Sequence, residues 1–131
     1  KTKLNKLLWY SDFLNYKETN LSISGLAYAH KPFGAVPVAI DEILSVLPDI
    51  KIEEKENEEA EYTYFEISTT KEFNASYFNA TELLSLEKIA KEFKTIGNRK
   101  ISEKMHEEKA YVETKDKEYI NYDFAKYLKI N

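Results

Sequence analysis

Residues 3–17, Lys3-Leu4-Asn5-Lys6-Leu7-Leu8-Trp9-Tyr10-Ser11-Asp12-Phe13-Leu14-Asn15-Tyr16-Lys17, decide how the rest of the chain is read. At 100° per residue, Leu4, Leu7, Leu8 and Leu14 share one face with Ser11 between them. Trp9, Phe13 and Tyr16 fall on the opposite face, with Tyr10 nearby. A helix apolar on two sides is buried on two sides, so this segment is expected to be the central helix of the core. Asp12 shares an angular sector with Asn5 on this greasy helix. It is expected to be partly buried, hydrogen-bonded and structural, holding the loop that follows.

Moving outward, Asn20, Ser22, Ser24 and Gly25 are turn formers, and Leu26–Ala29 is a short extended piece. Residues 30–37, His-Lys-Pro-Phe-Gly-Ala-Val-Pro, hold two prolines and a glycine. They read as a preformed loop between strand and helix, with Pro37 at the first helical position. Ile40, Ile43, Leu44 and Leu47 then form an apolar stripe that ends at Pro48. Ile50 to Ser68 alternates as a two-stranded hairpin, joined through Glu53–Glu61, whose six glutamates and one lysine sum to -5 and predict a solvated, mobile turn. Thr69–Phe78 is irregular, with Phe73, Tyr77 and Phe78 as packing anchors.

Asn79-Ala80-Thr81-Glu82 has the form of a capping box. The helix after it carries Leu83, Leu86, Ile89, Ala90, Phe93 and Ile96 as one stripe, with Gly97 as a left-handed stop. A shorter helix over about 100–108 puts Ile101 and Met105 on one side, and a last helix from about Asn121 presents Phe124, Tyr127 and Leu128. No internal repeat or splitting linker interrupts the chain. The fold class expected is therefore α+β: one mostly helical domain over residues 1–131, with a central buried N-terminal helix and a small antiparallel β-hairpin at its edge.

Composition excludes several classes. The chain has 131 residues, no cysteine and a net charge of -4. That length supports a core without disulfides or metal, and the missing thiols rule out a disulfide scaffold or thiolate zinc site. They also suit a reducing, cytoplasmic setting. No apolar run reaches the roughly 18–20 residues of a membrane span. Residues 53–61 account for -5, so the other 122 residues sum to +1, and the chain is near-neutral with one acidic tip. Its basic residues are scattered, so nucleic acid is expected only through a domain outside this chain. Lys1 is not Met, and the only methionine is Met105, which fits a piece cut from a longer protein.

The residues with side chains suited to chemistry are few. His106-Glu107 begins like a zinc helix, but position 110 is Ala110, and His30 alone adds one nitrogen, so no metal is expected. There is no cysteine nucleophile and no Gly-x-Ser-x-Gly elbow. Three unclustered glycines form neither a phosphate loop nor a dinucleotide fingerprint. No catalytic residue and no cofactor site is assigned, and the chain is not expected to be an enzyme.

The stretch Lys3–Leu14, with Ile23-Ser24-Gly25-Leu26-Ala27-Tyr28 and Pro32-Phe33-Gly34-Ala35-Val36-Pro37, resembles the Panacea domain, the SocA-like antitoxin family of bacteria and their phages. Residues 101–111, from Ile101 through His106-Glu107 to Tyr111, are similar to its second signature, and the resemblance runs from Lys3 to about Tyr127. Ala35 stands where the family often has a proline, and Tyr111 where tryptophan is common. The resemblance implies an antitoxin that neutralises a protein toxin by direct contact. It also implies two alternatives: the regulatory or dimerisation domain of a helix-turn-helix regulator, with some self-association, or a proteolytic adaptor.

On that reading, the proline-braced loop is the expected contact surface, because docking a preformed loop costs less ordering entropy. The residues nominated are His30, Pro32, Phe33 and Gly34, with His106 as a neighbour. An enzyme using His106, Glu107 and Asp12 is the third class, to be separated by metal analysis.

Overall fold

The sequence from Thr2 to Thr19 has no proline or glycine, and in the computed structural model it forms one helix, α1 (Thr2–Thr19). The structure describes residues 2–57 and 62–131. Their elements continue as β1 (Tyr28–Lys31), β2 (Gly34–Pro37), α2 (Ile40–Val46), β3 (Ile50–Asn57) and β4 (Tyr62–Thr69). A 3-10 turn at Ala75–Tyr77, α3 (Ala80–Phe93), α4 (Asn98–His106), α5 (Lys109–Val112) and a 3-10 segment at Tyr122–Tyr127 complete the order. The fold is α+β and mostly helical, and it falls into two compact units, residues 39–75 and residues 2–38 with 76–131.

In the larger unit α1 is buried on most of its circumference, as its two apolar faces require. Trp9 stacks on Phe13 at 4.3 Å between centroids, and Phe13 stacks on Tyr122 at 4.5 Å. Tyr10 packs on Phe93 of α3, and Ile89, Ile101, Met105, Ile120 and Leu128 close the same core. Several buried or half-buried polar side chains of α1 tie the helix to later segments. Asn15 donates to Leu21 O at 2.9 Å and accepts from the Ser85 hydroxyl of α3 at 3.1 Å. Lys17 donates to Leu128 O at 2.9 Å. Asp12 takes Ile23 N–H and Ser24 N–H on one oxygen and the Ser24 and Tyr28 hydroxyls on the other. It holds the loop after α1, as its place on the helix predicts.

The largest departure from expectation is the segment after that loop. Residues 30–37 are not a plain loop, because β1 and β2 pair antiparallel with Tyr28 opposite Pro37 and Lys31 opposite Gly34. Pro37 closes β2 instead of opening a helix. Val38 N–H donates to Ala27 O at 2.9 Å, so the Tyr28–Pro37 pair sits between ladder bonds, where a missing N–H costs β1 nothing. The next helix starts later, at Ile40, after Ala39 in the left-handed region (φ 64°). Of its expected stripe Ile40 and Leu44 are buried, and Leu47 is exposed.

In the smaller unit β3 and β4 pair from Ile50–Thr69 to Asn57–Tyr62. The expected turn is therefore too long: Glu53–Asn57 continue the strand, with Lys55 bound to Glu66 at 2.8 Å across it. Residues 58–61, the rest of the acidic tip, lie outside the described residues. Phe73 and Tyr77 are not anchors, being 67% and 76% exposed.

The capping box forms as read, with Asn79 Oδ1 accepting from Glu82 N at 2.8 Å and Glu82 Oε1 from Asn79 N at 2.9 Å. On α3 the buried line is Ser85, Ile89 and Phe93, while Ala90 faces solvent. Gly97 is extended (φ −85°, ψ −177°) and caps the start of α4, so it is no left-handed stop. Ile101 and Met105 are fully buried, as expected. The last helix is of the 3-10 type, with Ala125 and Leu128 inward and Tyr127 largely exposed.

Candidate functional site

The β1–β2 hairpin turns on Pro32 and Phe33, and three supports hold it. On its outer side β1 meets a strand-like segment: His30 N–H donates to Glu118 O at 2.9 Å, Lys117 N–H to His30 O at 2.8 Å and Ile120 N–H to Tyr28 O at 2.8 Å. Ala29 and Tyr119 form a bridge there. Beneath it, Gly34 (φ +127°) lies so close to α1 and α4 that a Cβ would stand 2.6 Å from Lys6 Cε and 3.0 Å from Met105 Cγ. Glycine is required by the backbone angle and by this approach together.

Lys6 is the less expected partner. It is 1% exposed, and its ammonium donates to Ala35 O at 3.5 Å. Burial pushes its pKa down to about 8.

The third support is Tyr111 of α5. Its hydroxyl donates to Lys31 O at 2.5 Å and lies 3.2 Å from Pro32 O, so it pins the turn from below. Its ring is stacked between two histidines, with His30 at 3.8 Å and 12° and His106 at 4.7 Å and 21°. The His30 Nδ1 lies 3.1 Å from Tyr111 O. A carbonyl only accepts, so Nδ1 carries the proton. Desolvation, with Asp116 adding to it, raises the phenol pKa of Tyr111.

The five nominated residues therefore come together, but in distinct roles. His30 and His106 sandwich Tyr111, Pro32 supplies a carbonyl to it, and Gly34 gives the close approach to α1. Phe33 stands at the tip, 73% exposed. Sequence reading missed Tyr111 as the organiser and Lys6 as the floor. Tyr111 had a signal, because it ends the His106-containing stretch five residues on. A buried lysine had none.

The arrangement is a turn braced by stacked rings and backbone hydrogen bonds. His30 stacks on Tyr111 and donates to its carbonyl, and His106 stacks on the same ring. Asp12 is buried at 1% exposure beneath four donors, and neither histidine is among them. Among the described residues no three His, Cys, Asp or Glu side chains are grouped to hold a metal ion. No helix among them is long and apolar enough to cross a membrane.

No curated protein and no solved structure matches the chain significantly. One family does. The family model described as antitoxin SocA-like, Panacea domain, matches residues 4–112, from the start of α1 through the hairpin and both histidines to the end of α5. This is not a known enzyme family. The chain belongs to the SocA-like antitoxin family and carries its Panacea domain.

Proposed function

We propose that this chain works as one domain, the antitoxin of a toxin–antitoxin pair, and neutralises a protein toxin by direct contact through the tip of the β1–β2 hairpin. The observation that carries the reading is Phe33. A large apolar ring is held out in solvent on a turn braced by Tyr111, Gly34 and the Lys117–Ile120 segment. Exposed aromatics on pre-ordered backbone are the usual anchors of protein interfaces, since they add buried area at little entropic cost. Pro32 limits the freedom of the turn further.

The partner surface expected is an apolar recess that accepts Phe33, with polar contacts around it to the imidazoles of His30 and His106. The setting for such a pair is the bacterial cytoplasm, whether a host or a phage encodes it. The test is co-expression with the product of the reading frame adjacent to its gene. The reading expects rescue of growth and co-elution as one complex; rescue without any complex would remove direct contact from it.

A further inference from the structure

The unit of residues 39–75 differs from the rest of the chain in charge. It holds eleven acidic residues and three lysines, a charge of -8, and the other 94 residues carry +4. The β3–β4 ladder divides its charges unevenly between two faces, because residues directly opposite in register share a face and successive residues alternate. Lys51, Glu53, Lys55 and Glu66 stand on one face. They neutralise one another: Lys51 meets Glu53 at 2.5 Å, and Lys55 meets Glu66 at 2.8 Å and Glu53 at 3.7 Å.

The other face is built differently. On it Ile52 stands opposite Ile67 and Glu54 opposite Phe65, and Glu56 is the next residue of β3 on that side. Ile52 and Phe65 are 44% and 50% exposed, so two large apolar side chains lie in solvent beside two glutamates. Glu54 and Glu56 are exposed as well and make no ion pair among the described residues. An exposed apolar centre bordered by polar residues is the make-up of a protein-docking surface.

Charge decides the occupant. A second copy would bring another -8 against this face, and nucleic acid or an anionic membrane would be repelled in the same way. The surface that fits is a protein's, with an apolar spot set among lysines or arginines. Resting on the protein-binding reading above, we propose that this face of the β3–β4 hairpin docks a basic, apolar-centred surface of the protein partner, as a contact additional to the one at Phe33. The excess charge speeds encounter with such a partner, and the apolar centre adds the buried area that holds it.

The test uses the full chain and three blocked heptapeptides, of alternating lysine and leucine, lysine and serine, or glutamate and leucine, followed by amide NMR shifts. Saturable shifts at Ile52, Glu54, Phe65 and Ile67 are expected with the lysine–leucine peptide, weaker ones with lysine–serine, and none with glutamate–leucine. Affinity for the first peptide is expected to fall about fivefold or more between about 50 and about 300 mM salt. The pair Glu54→Gln, Glu56→Gln is expected to lower it by a similar factor, and so is Ile52→Thr, Phe65→Thr. Ser68→Ala, on the opposite face, is expected to leave it unchanged. If the threonine pair does not fold, the glutamine pair, confined to exposed side chains, carries the comparison. No saturation on this face, equal binding of the lysine–serine or the acidic peptide, or unchanged affinity in the folded glutamine variant would overturn the proposal. Phe33→Ala is expected to leave these shifts intact, so failure here is distinct from failure of the reading that rests on Phe33.

Discussion

The ring of His30 lies 3.8 Å from the ring of Tyr111 and nearly parallel to it, while its Nδ1–H donates to the carbonyl of that same tyrosine. Tyr111 answers through its hydroxyl, which donates to Lys31 O, the next residue along β1. One side chain thereby fixes both the last strand position and the turn. Tyr111→Phe keeps the stack and loses the hydroxyl bonds, so it is expected to cost about 1–2 kcal/mol. Its effect should concentrate in the hairpin. Amide exchange of residues 29–36 is expected to quicken more than that of α3, and equal change in both would show that Tyr111 does not act locally.

Two glycines separate backbone strain from lack of space. Both Gly25 (φ +74°) and Gly34 (φ +127°) adopt angles that side chains rarely take, but a Cβ at Gly25 would meet nothing within 4 Å. Gly25→Ala is expected to cost about 1 kcal/mol, from conformation alone. Gly34→Ala must also displace Lys6 and Met105, and about 2–4 kcal/mol is expected. Urea denaturation of the two variants checks the order; equal losses would mean that the hairpin can lift off α1 freely.

Asp12 predicts a steep mutational contrast. Tyr28→Phe removes one of its four donors and is expected to cost about 1–2 kcal/mol. Asp12→Ala strands the Ile23 and Ser24 amides with two hydroxyls, and a loss of about 3–5 kcal/mol is expected. Thermal melts of both variants measure it, and a mild Asp12→Ala would show that the loop after α1 is held by something else.

Lys6 ties stability to pH. With its folded pKa near 8 against 10.5 when unfolded, the unfolded chain binds more protons between these values. Stability then rises with pH across that interval, by up to about 3 kcal/mol from this group. The rise is cleanest from pH 8 to 9, because Tyr10, Tyr28 and Tyr122, whose pKa values burial raises in the fold, ionise near 10 in the unfolded chain and pull stability down as pH approaches that value. Lys6→Met is expected to flatten that part of the curve. An unchanged slope in denaturant titrations at pH 8, 8.5 and 9 would place the ammonium in water.

What could be read from the sequence was what is local or periodic. The two apolar faces of α1 made its burial legible, Asn79 and Glu82 announced their cap, and Ile101 and Met105 marked the inner side of α4. The position of Asp12 on a greasy helix was enough to assign its role. The β1–β2 hairpin was not legible, because its strands have four residues each and both its prolines read as breakers. Pro37 is tolerated only through a ladder register that depends on Val38 and Ala27. Hydrophobicity alone points Phe73 and Tyr77 inward, and hydrophobicity does not fix exposure.

Of the site, all five nominated residues lie on or against one hairpin, but their arrangement depends on contacts far apart in sequence. Tyr111 reaches Lys31 across 80 residues, and Lys6 reaches Ala35 across 29. No local pattern encodes either.

If the hairpin tip is the surface that meets the toxin, neutralisation must fail in the His30→Ala, Phe33→Ala double variant, with its folding verified by circular dichroism and its melting temperature. The expected result is a folded protein that no longer rescues growth and no longer co-elutes with the toxin. A folded double variant that neutralises as well as the parent would contradict it.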